Sequence, residues 1–558
     1  MKIFRLTYPH LAQHRIQLAT YISILLLTTA ISILSPYILG DFLDTLIEGA
    51  DIASVLVFCA IFGGLNVLRI LLGYVTSIIY VKMQTKMGYA LNMSVIKHVQ
   101  NLSLSYTNHQ DSAYLNQRIN NDANGLIIFC ITIIQNVMTN TIMLIVPLVI
   151  LLNMNWFVAV LLVGFLAVYI TLYFIFKKPL YNASFAMKEA QSNFFARLYD
   201  QLKYIKLIKL NSIQPEMNKR ADSGFDKLLN TTVHNQKVSY LYSGLDGFIG
   251  TLATIALFVV GGIQVLRGNF TIGMFTIFSS YFTMMMGASR YFFNLGANYQ
   301  RVLVSYDRII DIFGQKQEKS GAVILEDIHH IQLKDVCFAY DNEAKNIINN
   351  FNATFEKGKI YGIVGENGTG KSTLVSLIMG MYQDEFKGSI SYNGINIKDA
   401  HMENARRSHF GFAEQEPMLI NDSIRYNLSF DDIDNHLSSG LQAAPTLSTY
   451  LHTLNMTDFI TKNTLDLTIN EKNSNTSGGE KQKISILKVL TKDPAVMIFD
   501  EPTSALDVET TQRFVAYLQE IKCDKIILLI THDASIKRIC DETVYVTIGT
   551  IPDIKVTC

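Results

Sequence analysis

Eight residues in the second half of the chain, Gly365-Glu366-Asn367-Gly368-Thr369-Gly370-Lys371-Ser372, set glycines, a lysine and a hydroxyl at a spacing suited to holding phosphate. Glycines let backbone N–H groups wrap an anion at a helix N-terminus. Lys371 brings a positive charge to the outer phosphates, and the Ser372 hydroxyl can ligate Mg²⁺. The apolar run Ile360–Val364 reads as a buried strand, and a helix is expected from Thr373. That strand–loop–helix context is the one a phosphate-binding loop requires. Residues 365–373, with Glu366, Asn367, Thr369 and Thr373 among them, are therefore the expected contacts to a nucleotide's phosphates.

A second apolar strand, Ala495–Phe499, ends in Asp500-Glu501. Strands often end in acidic residues for solvation alone. After a phosphate-binding loop, however, two carboxylates at a strand's carboxyl end suggest chemistry. Asp500 would hold Mg²⁺ through water, and Glu501 would polarise the attacking water as general base. A lone histidine is usually structural, but His532 follows the apolar strand Ile526–Ile530, where a phosphate-facing loop belongs.

Between these landmarks, Thr476-Ser477-Gly478-Gly479-Glu480-Lys481-Gln482 resembles the signature of the ABC proteins, which phosphate-binding loops in general lack. The resemblance, to exporter-type ABC half-transporters, extends over essentially the whole chain. It implies a second anion cradle, in which Ser477, Gly478, Gly479 and Glu480 at a helix start face the γ-phosphate held by another subunit. It also implies that Gln415 senses Mg²⁺, that Asp507 lies in the D-loop of Ser504-Ala505-Leu506-Asp507, and that Tyr340 stacks on adenine. His532 becomes the switch histidine, and Glu471 resembles an exporter-specific loop. The chain departs from the usual pattern at Thr476 (commonly Leu), Glu480 (commonly Gln) and Pro502 (often Ala). Neither signature change removes a γ-phosphate donor. The catalytic set is complete, so ATP and Mg²⁺ are the implied cofactors and a homodimer the implied assembly.

The elements that must position these groups divide sharply. The chain has 558 residues, 49% hydrophobic and 17% charged, with Lys+Arg and Asp+Glu equal at 47 each. Zero formal charge argues against a nucleic-acid partner. The six cysteines form no CxxC pair, so neither a zinc site nor a disulfide framework is indicated. No secretory signal stands at the front. Crossing about 30 Å of hydrocarbon takes about 20 apolar residues. Six segments qualify, near 16–40, 54–80, 125–152, 155–177, 239–266 and 271–296. The expected fold is thus an α-helical six-span transmembrane domain over 1–313, a linker over 314–328 and an α/β phosphate-loop ABC ATPase domain over 329–558.

The first outer loop carries Asp41, Asp44, Glu48 and Asp51, while Lys2, Arg5, Arg15, Lys82, Lys86, Lys97, Lys177 and Lys178 lie on the opposite side. The positive-inside rule makes both termini cytoplasmic. Polar, periodic connections over 81–124 and 178–238 are too long for turns. By resemblance they are cytoplasmic hairpins with coupling tips near Asp111–Arg118 and Gln214–Asn218, and Leu115–Asp122 looks like the family's pattern after the first tip. The expected location is a multi-pass position in a bacterial inner membrane, with lipid as partner.

Cargo is less legible. Ionisable residues inside spans usually face a cavity or a partner, and Arg69, Asp246 and Arg290 are such residues. An Asp246–Arg290 pair lining an inward cavity is one expectation; side chains that reach headgroups or sit in the cytoplasmic extensions are the other. Tyr281, Phe282, Met284, Met285, Met286, Tyr291, Phe292 and Phe293 suit either a cavity that repacks around bulky cargo or a stripe that faces lipid or packs between helices. Asn136, Asn140 and Asn294 are tolerable only at protein or water interfaces. The expected cargo is a peptide, such as an antimicrobial one, with drug or lipid as alternatives and an importer or ATP-gated channel as further ones. No peptidase domain precedes the first span, so no leader cleavage is expected.

Overall fold

The computed structural model describes residues 2–108, 115–116, 118–340, 346–430, 445–457, 465–469, 477–547 and 554–556. Two compact units emerge: Met1–Lys97 with Ser112–Gly314, and His98–Asp111 with Gln315–Cys558.

The first unit is helical. Its helices are α1 (Lys2–Gln13), α2 (Arg15–Ile47), α3 (Ile52–Gln100, but for its last residues), α5 (Ala123–Met154), α6 (Trp156–Lys203), α7 (Ile205–Asn211), α8 (Gln214–Leu266) and α9 (Ile272–Phe313); the short α4 (Leu104–Asn108) belongs to the second unit. Among the described residues, five helices are long and apolar enough to cross a membrane: α2, α3, α5 with its preceding turn, α6 and α8. The sixth expected span lies within α9 but is not one of these. Its sequence mixes Thr276, Ser279, Ser280, Thr283, Ser289 and Arg290 among apolar residues, while Phe278 and Tyr281 are fully buried. A helix enclosed by its neighbours need not be apolar all round.

Backbone polar groups have no partner in hydrocarbon, so spans must satisfy their hydrogen bonds internally. These helices do so and continue. At 1.5 Å per residue, the 49 residues of α3 and the 53 of α8 run about 73 and 80 Å, against about 30 Å of hydrocarbon. The second hairpin turns back at Ser212, whose φ of 52° is left-handed. Its tip therefore precedes Gln214–Asn218, which begins α8. Most of the expected first tip, 111–114 and Arg118's neighbour at 117, lies outside the described residues. The Leu115–Asp122 pattern ends in a π-helical turn, Arg118–Asp122. There Asp122 is buried, accepts from the Ser305 hydroxyl at 2.8 Å and sits 3.8 Å from both Arg118 and Arg308.

The turns at the end of the helices away from the hairpins are short and capped. Asn155 accepts from Val158 N–H at 3.2 Å, and Thr271 from Met274 N–H at 3.0 Å. Asp44 accepts from the Thr271 hydroxyl at 2.5 Å and Gly273 N–H at 2.7 Å, tying α2 to the start of α9. The two helices approach so closely that a Cβ on Gly273 would collide with the Gly40 carbonyl and the Asp44 carboxylate.

The second unit holds two sheets. Strands β1 (His330–Phe338), β2 (Ile348–Glu356), β4 (Lys387–Tyr392) and β5 (Ile395–Asn396) form an antiparallel sheet in the order β2-β1-β4-β5. The other sheet has the order β10-β9-β3-β8-β7-β6, formed by β3 (Lys359–Val364), β6 (Phe410–Ala413), β7 (Val496–Asp500), β8 (Ile526–Ile530), β9 (Glu542–Tyr545) and β10 (Ile554–Val556). Strands β7 and β8 are buried throughout and parallel, as continuous apolar runs covered on both faces should be.

Replacing Gly273 by Leu is expected to destabilise the first unit by about 1–3 kcal/mol or more, the usual cost of overpacking. Gly63→Leu is the control, because a Cβ there meets nothing within 4 Å. Melting of the detergent-solubilised chain should fall for the first variant and hold for the second.

Candidate active site

The phosphate-binding loop connects β3 to α10 (Lys371–Ile378), a helix that begins two residues earlier than expected. Gly368 and Gly370 have φ of 80° and 97°, left-handed conformations that favour glycine. The Lys371 ammonium donates to the carbonyls of Gly365 and Glu366, both at 2.9 Å, and the Thr369 hydroxyl donates to the latter at 2.9 Å. The lysine is thus held across its own loop, over the start of the helix.

Strand register brings the other groups to this loop. Ile363 pairs with Ile530 across β3 and β8, and Ile530 pairs with Asp500 across β8 and β7. The Ser372 hydroxyl accordingly donates to Asp500 at 3.1 Å. Burial pushes the Asp500 carboxyl above the usual range, the serine bond partly opposing it. A buried carboxylate beside a hydroxyl, both hard oxygen donors, fits a divalent cation of the Mg²⁺ type.

Glu501 follows at φ 46°, held there by its N–H bond to the Ile530 carbonyl at 2.9 Å. Left-handed backbone at a non-glycine residue costs on the order of 1 kcal/mol and clusters at functional sites. One carboxylate oxygen accepts from the Gln415 amide at 2.8 Å, and the other lies 3.7 Å from His532 Nε2. Glu501, Gln415 and His532 therefore form one cluster, at the carboxyl ends of β7, β6 and β8.

The helix α14 (Gly478–Lys492) follows α11 (Met402–His409), α12 (Ile424–Ser429) and α13 (Pro445–Thr453). Ser477 is its N-cap in a reciprocal capping box. Its N–H donates to the Glu480 carboxylate at 2.6 Å, and Glu480 N–H donates to the Ser477 hydroxyl at 3.3 Å. The Glu in place of Gln thus has a local role: its carboxylate caps the signature helix. Thr476 and Glu471 lie outside the described residues. Asp507 caps the next helix, α15 (Val508–Ile521), accepting from the N–H and hydroxyl of Thr510, both at 2.8 Å, with Lys483 at 3.5 Å. The Thr510 bonds hold its carboxyl down at about 2, so it stays ionised.

Tyr340 shares a hydrogen bond with the Thr373 hydroxyl at 3.0 Å, and its ring meets Phe338 and Tyr382 edge-on. Sequence reasoning passed over Tyr382. This buried ring supports Tyr340, and its hydroxyl accepts from the Asn108 amide at 3.3 Å. Only the aromatic spacing Phe338-x-Tyr340 hinted at such a platform.

In the first unit, Arg290 Nη2 lies 2.7 Å from Asp246 Oδ2, so the expected pair exists. Arg69 is exposed on α3. Tyr281, Phe282, Met285 and Met286 are buried by packing, and Tyr281 donates to the Ile33 carbonyl at 2.8 Å. Asn140 donates to the Asn136 carbonyl at 2.7 Å; the side chains of Phe293 and Asn294 lie outside the described residues. An apolar cavity of about 640 Å³ opens among Leu26, Ile33, Leu34, Tyr37, Ile142 and Val146.

The ABC transporter transmembrane region family matches residues 18–289, and the ABC transporter family matches residues 348–504, together well over half of the chain. The chain is 24% identical to the ATP-dependent lipid A-core flippase of Syntrophus aciditrophicus (strain SB), over 99% of this chain and 90% of that protein. It is 26% identical to the lactococcin-G-processing and transport ATP-binding protein LagD of Lactococcus lactis subsp. lactis, over 94% of this chain and 74% of that protein. A solved bacterial Atm1-family ABC exporter with ATP bound shares the fold, with a TM-score of 0.80 at 19% identity, covering 97% of this chain and 95% of that one. The chain belongs to the ABC transporters of the exporter type, integral membrane proteins whose ATPase domain couples ATP hydrolysis to transport.

Proposed function

We propose that two copies of this chain form a homodimeric exporter that carries a peptide, of the antimicrobial kind, out through a bacterial inner membrane. The likeness to the LagD protein over 94% of the chain carries the peptide reading. The apolar cavity between α2, α5 and α9 supports a bulky, largely apolar cargo. A lipid reading stands beside it, because the flippase likeness spans 99% of the chain.

At each ATP site the loop N–H groups and Lys371 hold the outer phosphates, and Tyr340 takes the adenine. Mg²⁺, held by Ser372, Asp500 and Gln415, would neutralise developing charge on the phosphates. Glu501 orients and deprotonates the attacking water, with Gln415 and His532 fixing its two carboxylate oxygens. Ser477 and the N-terminal N–H groups of α14 close over the γ-phosphate from the second copy, with Asp507 nearby. ATP then favours the closed dimer because only that state completes both halves of the site. Closure passes through the hairpin tips and turns an inward-facing cavity outward; hydrolysis resets it. In this scheme six spans cross per chain and both termini stay cytoplasmic.

Lys371→Ala is expected to weaken nucleotide binding about 10–100-fold, the scale of a lost charge-assisted contact. A fluorescent ATP analogue titrated against the purified chain reads this directly. Glu501→Gln should lower ATP turnover in lipid by about 10²–10⁴, as for a lost general base, and leave ATP affinity near wild type. Turnover at the wild-type rate would remove Glu501 from that role. A panel of amphipathic peptides, lipids and drugs added to the wild type separates the cargo readings by which class shifts the rate.

A further inference from the structure

The Asp246–Arg290 pair sits in a wider polar cluster, and its bonding is incomplete. Asp246 lies on α8, one turn after Tyr242. Facing it on α6, at helical spacing, are Tyr169, Tyr173 and Phe176. The hydroxyls of Tyr169 and Tyr242 are 3.4 Å apart, the Tyr242 and Phe176 rings are 5.8 Å apart, and Tyr169 also hydrogen-bonds Arg290. One oxygen of Asp246 receives Arg290, while Oδ1 is buried with no hydrogen-bond partner among the described residues. A buried acceptor left unpaired is costly and calls for a donor. The side chain of Asp246 is 13% exposed, whereas that of Arg290 is 48% exposed. The carboxylate is built in; the guanidinium arrives from the open side.

We propose that Asp246 and the aromatic rings on α6 and α8 form a binding site for the cationic ammonium of an amphipathic cargo, and that Arg290 is its resident occupant. A carboxylate flanked by aromatic faces suits a cation through charge-assisted hydrogen bonds and cation–π attraction. The incoming ammonium displaces Arg290 from Oδ2, and Oδ1 supplies its second acceptor; loss of the Arg290 bond releases α9 from α8 at this point. Depth agrees with such a role. Asp246 stands about 30 Å along α8 from Leu266, and Arg290 about 27 Å along α9 from Ile272. That places the cluster at the far edge of a hydrocarbon layer about 30 Å thick, where the long hairpins leave it and an amphipath's charged end would lie. The proposal rests on the exporter's membrane unit carrying the cargo, and it narrows that cargo to one with an amine.

The test is binding of dansylcadaverine, a fluorescent primary ammonium on an apolar body, to the full chain in nanodiscs. It is done without ATP and in the Glu501→Gln background, so a failure of turnover leaves the readout intact. Asp246→Asn should weaken binding at least about tenfold, whereas Asp246→Glu should hold it within a few fold. Arg290→Gln should strengthen binding several-fold, because the competitor is gone. The acetylated, uncharged probe should be indifferent to all three. Displacement of the probe by a lysine-bearing amphipathic peptide assigns the amine to a peptide. Displacement by dodecylammonium but not by the peptide assigns it to a small cationic amphiphile. The proposal is overturned if Arg290→Gln weakens binding as Asp246→Asn does, if the acetylated probe loses affinity equally, or if neither competitor displaces the probe.

Discussion

Ile530 pairs with Ile363 on one side and with Asp500 on the other. That single row across three parallel strands levels the ends of β3, β8 and β7. Everything chemical follows from it. The loop after β3 wraps phosphate, the residues ending β7 carry the carboxylates, and the segment after β8 presents His532. A slip of one residue in either pairing would turn Asp500 to the opposite face of the sheet and break the bond from Ser372. Every residue of β7 and β8 is enclosed, so close packing on both faces holds these strands in place, and a slip would carry Asp500 away from Ser372.

Glu501 shows how the same row supports strain. Its left-handed backbone is stabilised by the bond to the Ile530 carbonyl, and the turn swings the carboxylate towards Gln415 and His532. A residue in ordinary extended geometry would continue the strand and face elsewhere. The strain and the placement are one feature.

In the helical unit the governing constraint is different. Hydrocarbon offers no partner for polar groups, which favours placing them where helices meet. Asp44 capping the start of α9, Asp122 between Ser305 and the arginines, and Asp246 with Arg290 are three such places. Each joins one helix to another. Asn108 does similar work in the other unit, where a hairpin residue reaches Tyr382 and through it the tyrosine beside the phosphate loop.

The motif residues from Gly365 to Ser372, Asp500-Glu501 and Ser477-Gly478-Gly479 were legible in the sequence, because local spacing alone determines strand, turn and helix start. The long apolar runs likewise announced helices, since hydrocarbon admits little else. The partly polar run 271–296 was less decisive, as apolar content measures lipid exposure and α9 is enclosed by other helices. Only the tertiary structure decided which groups meet. Gln415 reaches Glu501 across 86 positions, Asp246 reaches Arg290 on another helix, and Tyr382 supports Tyr340. Such pairings depend on register and helix rotation, which many distant contacts set together. The place where the second hairpin turns, at Ser212 rather than beyond Gln214, depends on a left-handed residue with no glycine to mark it.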